Sequence, residues 1–271
     1  MKFETKEQLF KYLKDNKNLL ITEKKSAIKH ADSLNYGSLS TSGITKSGAN
    51  KALTEIESPE LDKIKVKVVI NTTNILDSHG DVHIPGIWNK TLKEQKLTYH
   101  LQEHCMKFDH VISDQVVAFI QEMLWKDLGE SYSGKTEALI FESLIYSDRN
   151  EFMFEQYIKG YVKQHSVGMQ YVTLYLCVNS EDAYYSAEKE AWDKYFPMVV
   201  NQDDALNQGY FWAVTEAKLI EGSAVVLGSN NVTPTIEVAE LEPSDDTQKY
   251  TAADQVTAQE FKEELRKSFK N

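Results

Sequence analysis

Four short strings in the chain combine residue types that enzymes use. The first, His165-Ser166-Val167-Gly168, sets a hydroxyl two positions before a glycine. A serine nucleophile needs a restrained position and room for a substrate backbone, and glycine leaves that room. The backbone N–H groups of Val167 and Gly168 are candidates for stabilising an oxyanion. The string also reads as a helix end running into a strand, which places Ser166 at the junction.

The second string is His100-Leu-Gln-Glu103-His104. It satisfies the H-x-x-E-H pattern of one class of zinc peptidases. Leu92, Leu97 and Leu101 recur at near-helical intervals, which predicts a helix over Asn89–His104 with both imidazoles on one face. A zinc hydrolase using His100, Glu103 and His104 is therefore one reading, and a His-rich helix end is another. Cys105, beside the second histidine, could serve as a thiol nucleophile.

The third string, Leu219-Ile-Glu221-Gly-Ser223-Ala-Val225-Val226, buries a carboxylate in an apolar strand unless Glu221 faces solvent. Burial without a partner is costly, so a buried Glu221 must be paired. The fourth, Asp77-Ser-His-Gly80-Asp81-Val-His-Ile-Pro85-Gly86, has the composition of consecutive tight turns leaving a strand.

Strands must carry most of these residues. Ile64, Val66, Val68 and Ile70 alternate with Lys65, Lys67 and Val69, as a half-buried strand does. Similar runs occupy Gln115–Trp125, Thr136–Tyr146, Gly168–Val178, Tyr210–Lys218 and Leu219–Leu227. A helix is expected over Asn150–Gln164, capped by Asp148, and another over Glu181–Tyr195. Strands that do not alternate regularly with helices argue for a mainly β, α+β fold: a closed or partly open barrel, or a sandwich, with helices packed outside it.

The ends differ from this core. Residues 1–37 read as a helical extension, with a Thr5-x-x-Gln8 capping box, an apolar stripe at Leu9, Phe10 and Leu13, and a second helical stretch near Glu23–Asp32. Residues 38–61 read as a flexible linker, on the Ser/Thr/Gly-rich run Ser38–Asn50. Residues 62–240 form the core, and 241–271 a polar tract ending in an amphipathic helix with Phe261, Leu265 and Phe269.

The bulk composition narrows the classes. A net charge of −11 disfavours direct nucleic-acid binding. Two isolated cysteines, Cys105 and Cys177, argue against a disulfide framework and a cysteine-based zinc site. No run approaches the ~18 apolar residues of a membrane span. The N-terminal MKFETKEQLF lacks the apolar stretch of a secretory signal, so a cytoplasmic protein is expected.

In order along the chain, D-x-x-G-D-x-x-x-P-G, a histidine, Ser-x-Gly and E-x-S-x-V resemble the prohead proteases of tailed bacteriophages, across roughly residues 62–238. Asp77, Gly80, Asp81, Pro85 and Gly86 match the first motif of that family, which shares the fold of herpesvirus capsid-maturation proteases. The resemblance implies a serine endopeptidase with Ser166 as nucleophile, His104 as base and Glu221 as the orienting acid. Glu216 is the reserve for the third role, and no cofactor is implied. It implies scaffold and major capsid proteins as substrates, self-cleavage in the linker or the polar tract, a place inside the assembling procapsid in the host cytoplasm, and a possible homo-oligomer. Cys177–Gly209 stands as an insertion between the nucleophile and acid strands. His165, adjacent to the nucleophile on a strand, would point to the opposite face. A non-enzymatic scaffold-like virion protein remains the other reading.

Overall fold

The computed structural model describes residues 3–28, 61–94 and 97–241. Contacts divide the chain into two units, Met1–Glu240 and Leu241–Asn271, and every described element lies in the first. The expected linker at Ser38–Asn50, the polar tract and the C-terminal helix lie outside the described residues.

The elements run α1 (Lys6–Asp15), α2 (Lys17–Ser26), β1 (Lys63–Thr72), β2 (Asp81–His83), α3 (Asn89–Glu94), β3 (His100–Gln102), β4 (Val111–Ser113), β5 (Gln115–Leu124), β6 (Lys135–Tyr146), α4 (Glu151–Ile158), β7 (Gln164–Val178), α5 (Ser186–Tyr195), α6 (Gln202–Gln208), β8 (Tyr210–Val225) and β9 (Thr235–Glu240). One sheet has the order β5-β6-β1-β9; the other has β2-β8-β3-β4, with β7 pairing β8. About 39% of the described residues are strand and 31% helix. The fold is thus mixed α+β, but the two sheets do not close into a barrel.

The alternation in β1 does what its period requires. Ile64, Val66, Val68 and Ile70 are all buried and pack with Leu139 and Phe141 of β6 against Val167, Met169 and Leu219 of the second sheet. Gly222 lets the sheets approach closely: a Cβ there would stand 2.9 Å from Ile70 Cδ1 and nearer still to Phe141 Cε2. Odd-numbered β7 residues around Ser166 and even-numbered β8 residues around Glu221 therefore face inward. Ser166, Gly168, Glu221 and Ser223 face the other way.

Several boundaries differ from expectation. Tyr210–Val225 is one continuous strand, because bulges opposite Gly168–Leu174 let it bend without ending. The helix after β6 is shorter than expected and is capped by Asn150, whose side chain accepts from the Met153 N–H at 3.1 Å, rather than by Asp148. At the N-terminus, Thr5 Oγ1 caps α1 by accepting from the Gln8 N–H at 3.2 Å, and Phe10 and Leu13 are buried as their spacing predicts. The second helix starts earlier than expected, at Lys17. No helix among the described residues is long and apolar enough to cross a membrane.

Candidate functional site

The expected helix over Asn89–His104 stops at Glu94, and His100–Gln102 is a strand. β3 lies parallel to β8, with Leu101 opposite Ser223 and Gln102 opposite Ala224, and a ladder of this kind overrides a weak helical spacing. Alternation along a strand separates the two histidines that a helix would have put together. His100 turns inward. Glu103 is exposed, and His104 leaves the strand through a turn in which Glu103 and His104 both have positive φ, 52° and 55°. The face required for the zinc reading does not exist in this fold, and among the described residues no group of three His, Cys, Asp or Glu side chains converges as a metal site.

His104 instead meets Glu221. Its Nδ1 lies 2.6 Å from Glu221 Oε1, with His104 9% and Glu221 1% exposed. Glu221 Oε2 accepts from the Ser223 hydroxyl at 2.6 Å, and Ser223 Oγ accepts from the His104 N–H at 3.0 Å. The carboxylate therefore accepts a hydrogen bond from Nδ1–H of the imidazole, which leaves Nε2 as the nitrogen that carries the lone pair.

Ser166 is the third residue of β7, inside the strand rather than at a helix junction. It lies directly opposite Ser223 in the β7–β8 ladder, and Gly168 lies opposite Glu221. Directly paired residues share a face, with Cβ atoms about 5 Å apart. Glu221 leans across to β7: a Cβ on Gly168 would stand 2.8 Å from Glu221 Cδ and would collide with Oε1. Since Oε1 is the oxygen bound to His104, the imidazole is anchored above β7, two residues along from Ser166. The sequence needs glycine at 168 for that reason. Ser166 Oγ is buried, and among the described residues it has no hydrogen-bond partner. No hydrogen bond therefore joins Ser166 Oγ to His104.

The two oxyanion candidates differ in aim. His165 directs its N–H away from β8, to the Thr233 carbonyl at 3.1 Å. By alternation the Val167 N–H points the same way, off the ladder, while the Gly168 N–H faces β8. Glu216, the reserve acid, is elsewhere: it pairs with Lys90 at 3.0 Å and accepts from Thr173. It sits beyond a bulge, so its position on β8 does not carry it to His104. Cys105 follows His104 and is partly exposed, whereas Cys177 is buried and burial pushes its thiol up to about 12.

Two buried polar chains support the site. His165, as expected, points to the face opposite Ser166. Its Nδ1 lies 3.1 Å from the Thr233 carbonyl, which can only accept, so Nδ1 carries the proton. Tyr157 O–H then donates to His165 Nε2 at 2.9 Å, His100 Nε2–H donates to the Tyr157 oxygen at 3.0 Å, and Ser143 O–H donates to His100 Nδ1 at 3.0 Å. Burial holds His165 down at about 4 and His100 well below the ordinary histidine value.

The second chain absorbs the aspartate–glycine motif. Asp77 Oδ1 accepts from the His79 and Asp81 N–H groups, at 2.8 and 2.9 Å, and Gly80 and Gly86 take the positive φ their turns need. Asp81 accepts from the Tyr171 hydroxyl at 2.9 Å and is paired with Lys24 of α2. His83 bonds Tyr171 and Asn71, and burial lowers it to about 4. Burial, with the neighbouring Asp81 carboxylate, pushes Asp77 up to about 7. This motif builds the scaffold next to β7, and Asp77, His79 and His83 line one cavity together with Ser166. Sequence reasoning gave no role to Ser223, Tyr157, Thr233 or Lys24; of these, only Ser223 stood in a string that it singled out, two residues after Glu221.

Comparison of the chain with protein-family models, with curated proteins and with solved structures returns no match in any of the three.

Proposed function

We propose that the chain is a serine endopeptidase with Ser166 as nucleophile, His104 as base and Glu221 as the acid that orients it. One observation carries the reading. A buried serine hydroxyl lacking a hydrogen-bond partner shares a sheet face with an imidazole gripped by a buried carboxylate, one strand away.

In the mechanism, His104 Nε2 takes the Ser166 Oγ proton as Oγ bonds to the peptide carbonyl carbon. The carbonyl oxygen gains the negative charge, which the outward Val167 N–H is aimed to stabilise. Collapse breaks the C–N bond, and the imidazolium gives its proton to the leaving amine. Water, deprotonated by the same nitrogen, then releases the acyl group and restores Ser166. Glu221 keeps the Nδ1 tautomer throughout and balances the transient imidazolium.

The order of the four motifs supports a capsid-maturation role. In this reading the chain acts inside an assembling procapsid in the host cytoplasm, on scaffold and capsid-protein segments and on itself. The strand-rich core with external helices is compatible with a herpesvirus-protease-like arrangement as an open, two-sheet variant.

Mass spectra of the purified wild type and of Ser166→Ala test the activity. The wild type is expected to shed terminal segments and the variant to stay intact, with His104→Ala behaving like the serine variant. Identical spectra for wild type and Ser166→Ala would leave a non-enzymatic structural role as the better account.

A further inference from the structure

We propose that Ser223 is a positioning residue for the base, holding His104 through its backbone and through its acid at once; this rests on the serine-peptidase reading. Residues with a Cβ avoid the left-handed region, and two in a row persist only where the surroundings over-determine them. Glu103 and His104 are such a pair. Three backbone bonds hold their turn: Glu103 N–H to the Ala224 carbonyl, Cys105 N–H to the Gln102 carbonyl, and His104 N–H to Ser223 Oγ, each at 3.0 Å. The first two set the turn's place beside β8. The third reaches the residue that bears the imidazole.

The same hydroxyl donates its proton to Glu221 Oε2 at 2.6 Å, while Oε1 holds His104 Nδ1 at 2.6 Å. The result is a closed ring of three bonds: main chain of His104 to Ser223, Ser223 to Glu221, Glu221 to the ring of His104. A carboxylate fixed at one oxygen can still rotate about its last bond; fixed at both, it presents Oε1 in one direction. Ser223 thus sets where the turn carries the imidazole and where the acid points. It is fully buried and directly opposite the nucleophile, so an error in its place is transmitted to the distance over which the proton must move.

The test compares full-length wild type, Ser223→Ala and Ser223→Thr by their rates of labelling at Ser166 with an alkyl fluorophosphonate, as a function of pH. Ser223→Ala is expected to label roughly 10- to 100-fold more slowly, the scale of loss from a small misplacement of reacting groups. The acid limb of its pH–rate profile should also move, because a carboxylate free to rotate supports the imidazolium differently. Ser223→Thr, which keeps the hydroxyl, should recover most of the rate. Should the alanine variant fail to fold, Ser223→Cys, similar in shape but a weak hydrogen-bonding group, takes its place in the comparison. A folded variant without the hydroxyl that labels at the wild-type rate with an unmoved acid limb overturns the proposal and leaves the peptidase reading standing. A wild type that takes no label at Ser166 overturns the peptidase reading, and the role of Ser223 with it.

Discussion

At the residue scale, the Glu221–His104 contact joins two groups that are costly to bury separately. A carboxylate at 1% exposure is tolerated because both of its oxygens are bonded, one to an imidazole and one to a hydroxyl. Glu221→Gln keeps the shape but offers an amide N–H or a neutral oxygen to Nδ1, so the imidazole loses the partner that fixes its tautomer. Peptide cleavage by Glu221→Gln should fall by roughly 10³- to 10⁴-fold, the scale set by amide replacement of a triad carboxylate. Steady-state assay of a cleavable peptide, with circular dichroism to verify folding, checks this. In the sequence Glu221 read either as solvent-facing or as a buried carboxylate needing a partner, and Gly168 as room for a substrate backbone, whereas the space beside Gly168 is filled by the Glu221 carboxylate. The partner, His104, came only from the order of motifs behind the resemblance and not from local spacing: it reaches Glu221 through two left-handed residues that no propensity favours. Helical spacing of leucines pointed instead to a metal face that a three-residue strand abolishes.

At the scale of elements, β3, α4 and β7 are tied together by the chain from Ser143 through His100, Tyr157 and His165 to Thr233. His100 begins the strand that leads to His104, and His165 precedes Ser166. The strands that lead to His104 and Ser166 are thus tied together by one tyrosine hydroxyl. Tyr157→Phe removes that hydroxyl and leaves two buried ring nitrogens with lost bonds, each worth about 1–3 kcal/mol when unmet. Urea denaturation of the variant should show a loss of about 2–5 kcal/mol, and peptide cleavage should weaken because both strands gain freedom. The strands β1, β5 and β6 were legible almost to the residue, since alternation is strong where one face is buried. The three-residue strands β2, β3 and β4 were not, because pairing with β8 or a neighbouring strand, and not local preference, makes them strands.

For the molecule as a whole, buried ionisable groups dictate how stability responds to acid. Burial holds His83 and His165 down at about 4 in the folded chain and His100 well below the ordinary histidine value, against about 6.5 when unfolded. The unfolded chain therefore binds more protons below 6.5, so stability is full above that value and falls as pH drops towards 4. A shift of that size is worth roughly 3 kcal/mol for each of the two histidines near 4. Asp77, raised to about 7, acts in the opposite sense: the folded chain binds the extra proton, and that contribution fades as pH rises from about 4 through 7. Three histidines outweigh one aspartate. Thermal melts should show a transition temperature that drops steeply from pH 6.5 to 4.5 and changes little from pH 7 to 8. A flat response across the acid range would contradict the neutral, bonded state assigned to these imidazoles.

The mooring of α1 and α2 has a consequence for any cut in the chain between residues 28 and 61. Lys24 is sunk against Asp81, Lys14 and Lys17 both grip the buried Glu188, and Phe10 and Leu13 lie in the core. None of these attachments depends on the peptide that continues towards β1. Severing that peptide would divide the covalent molecule without dislodging the two helices, which would stay behind as a separate subunit of their own parent.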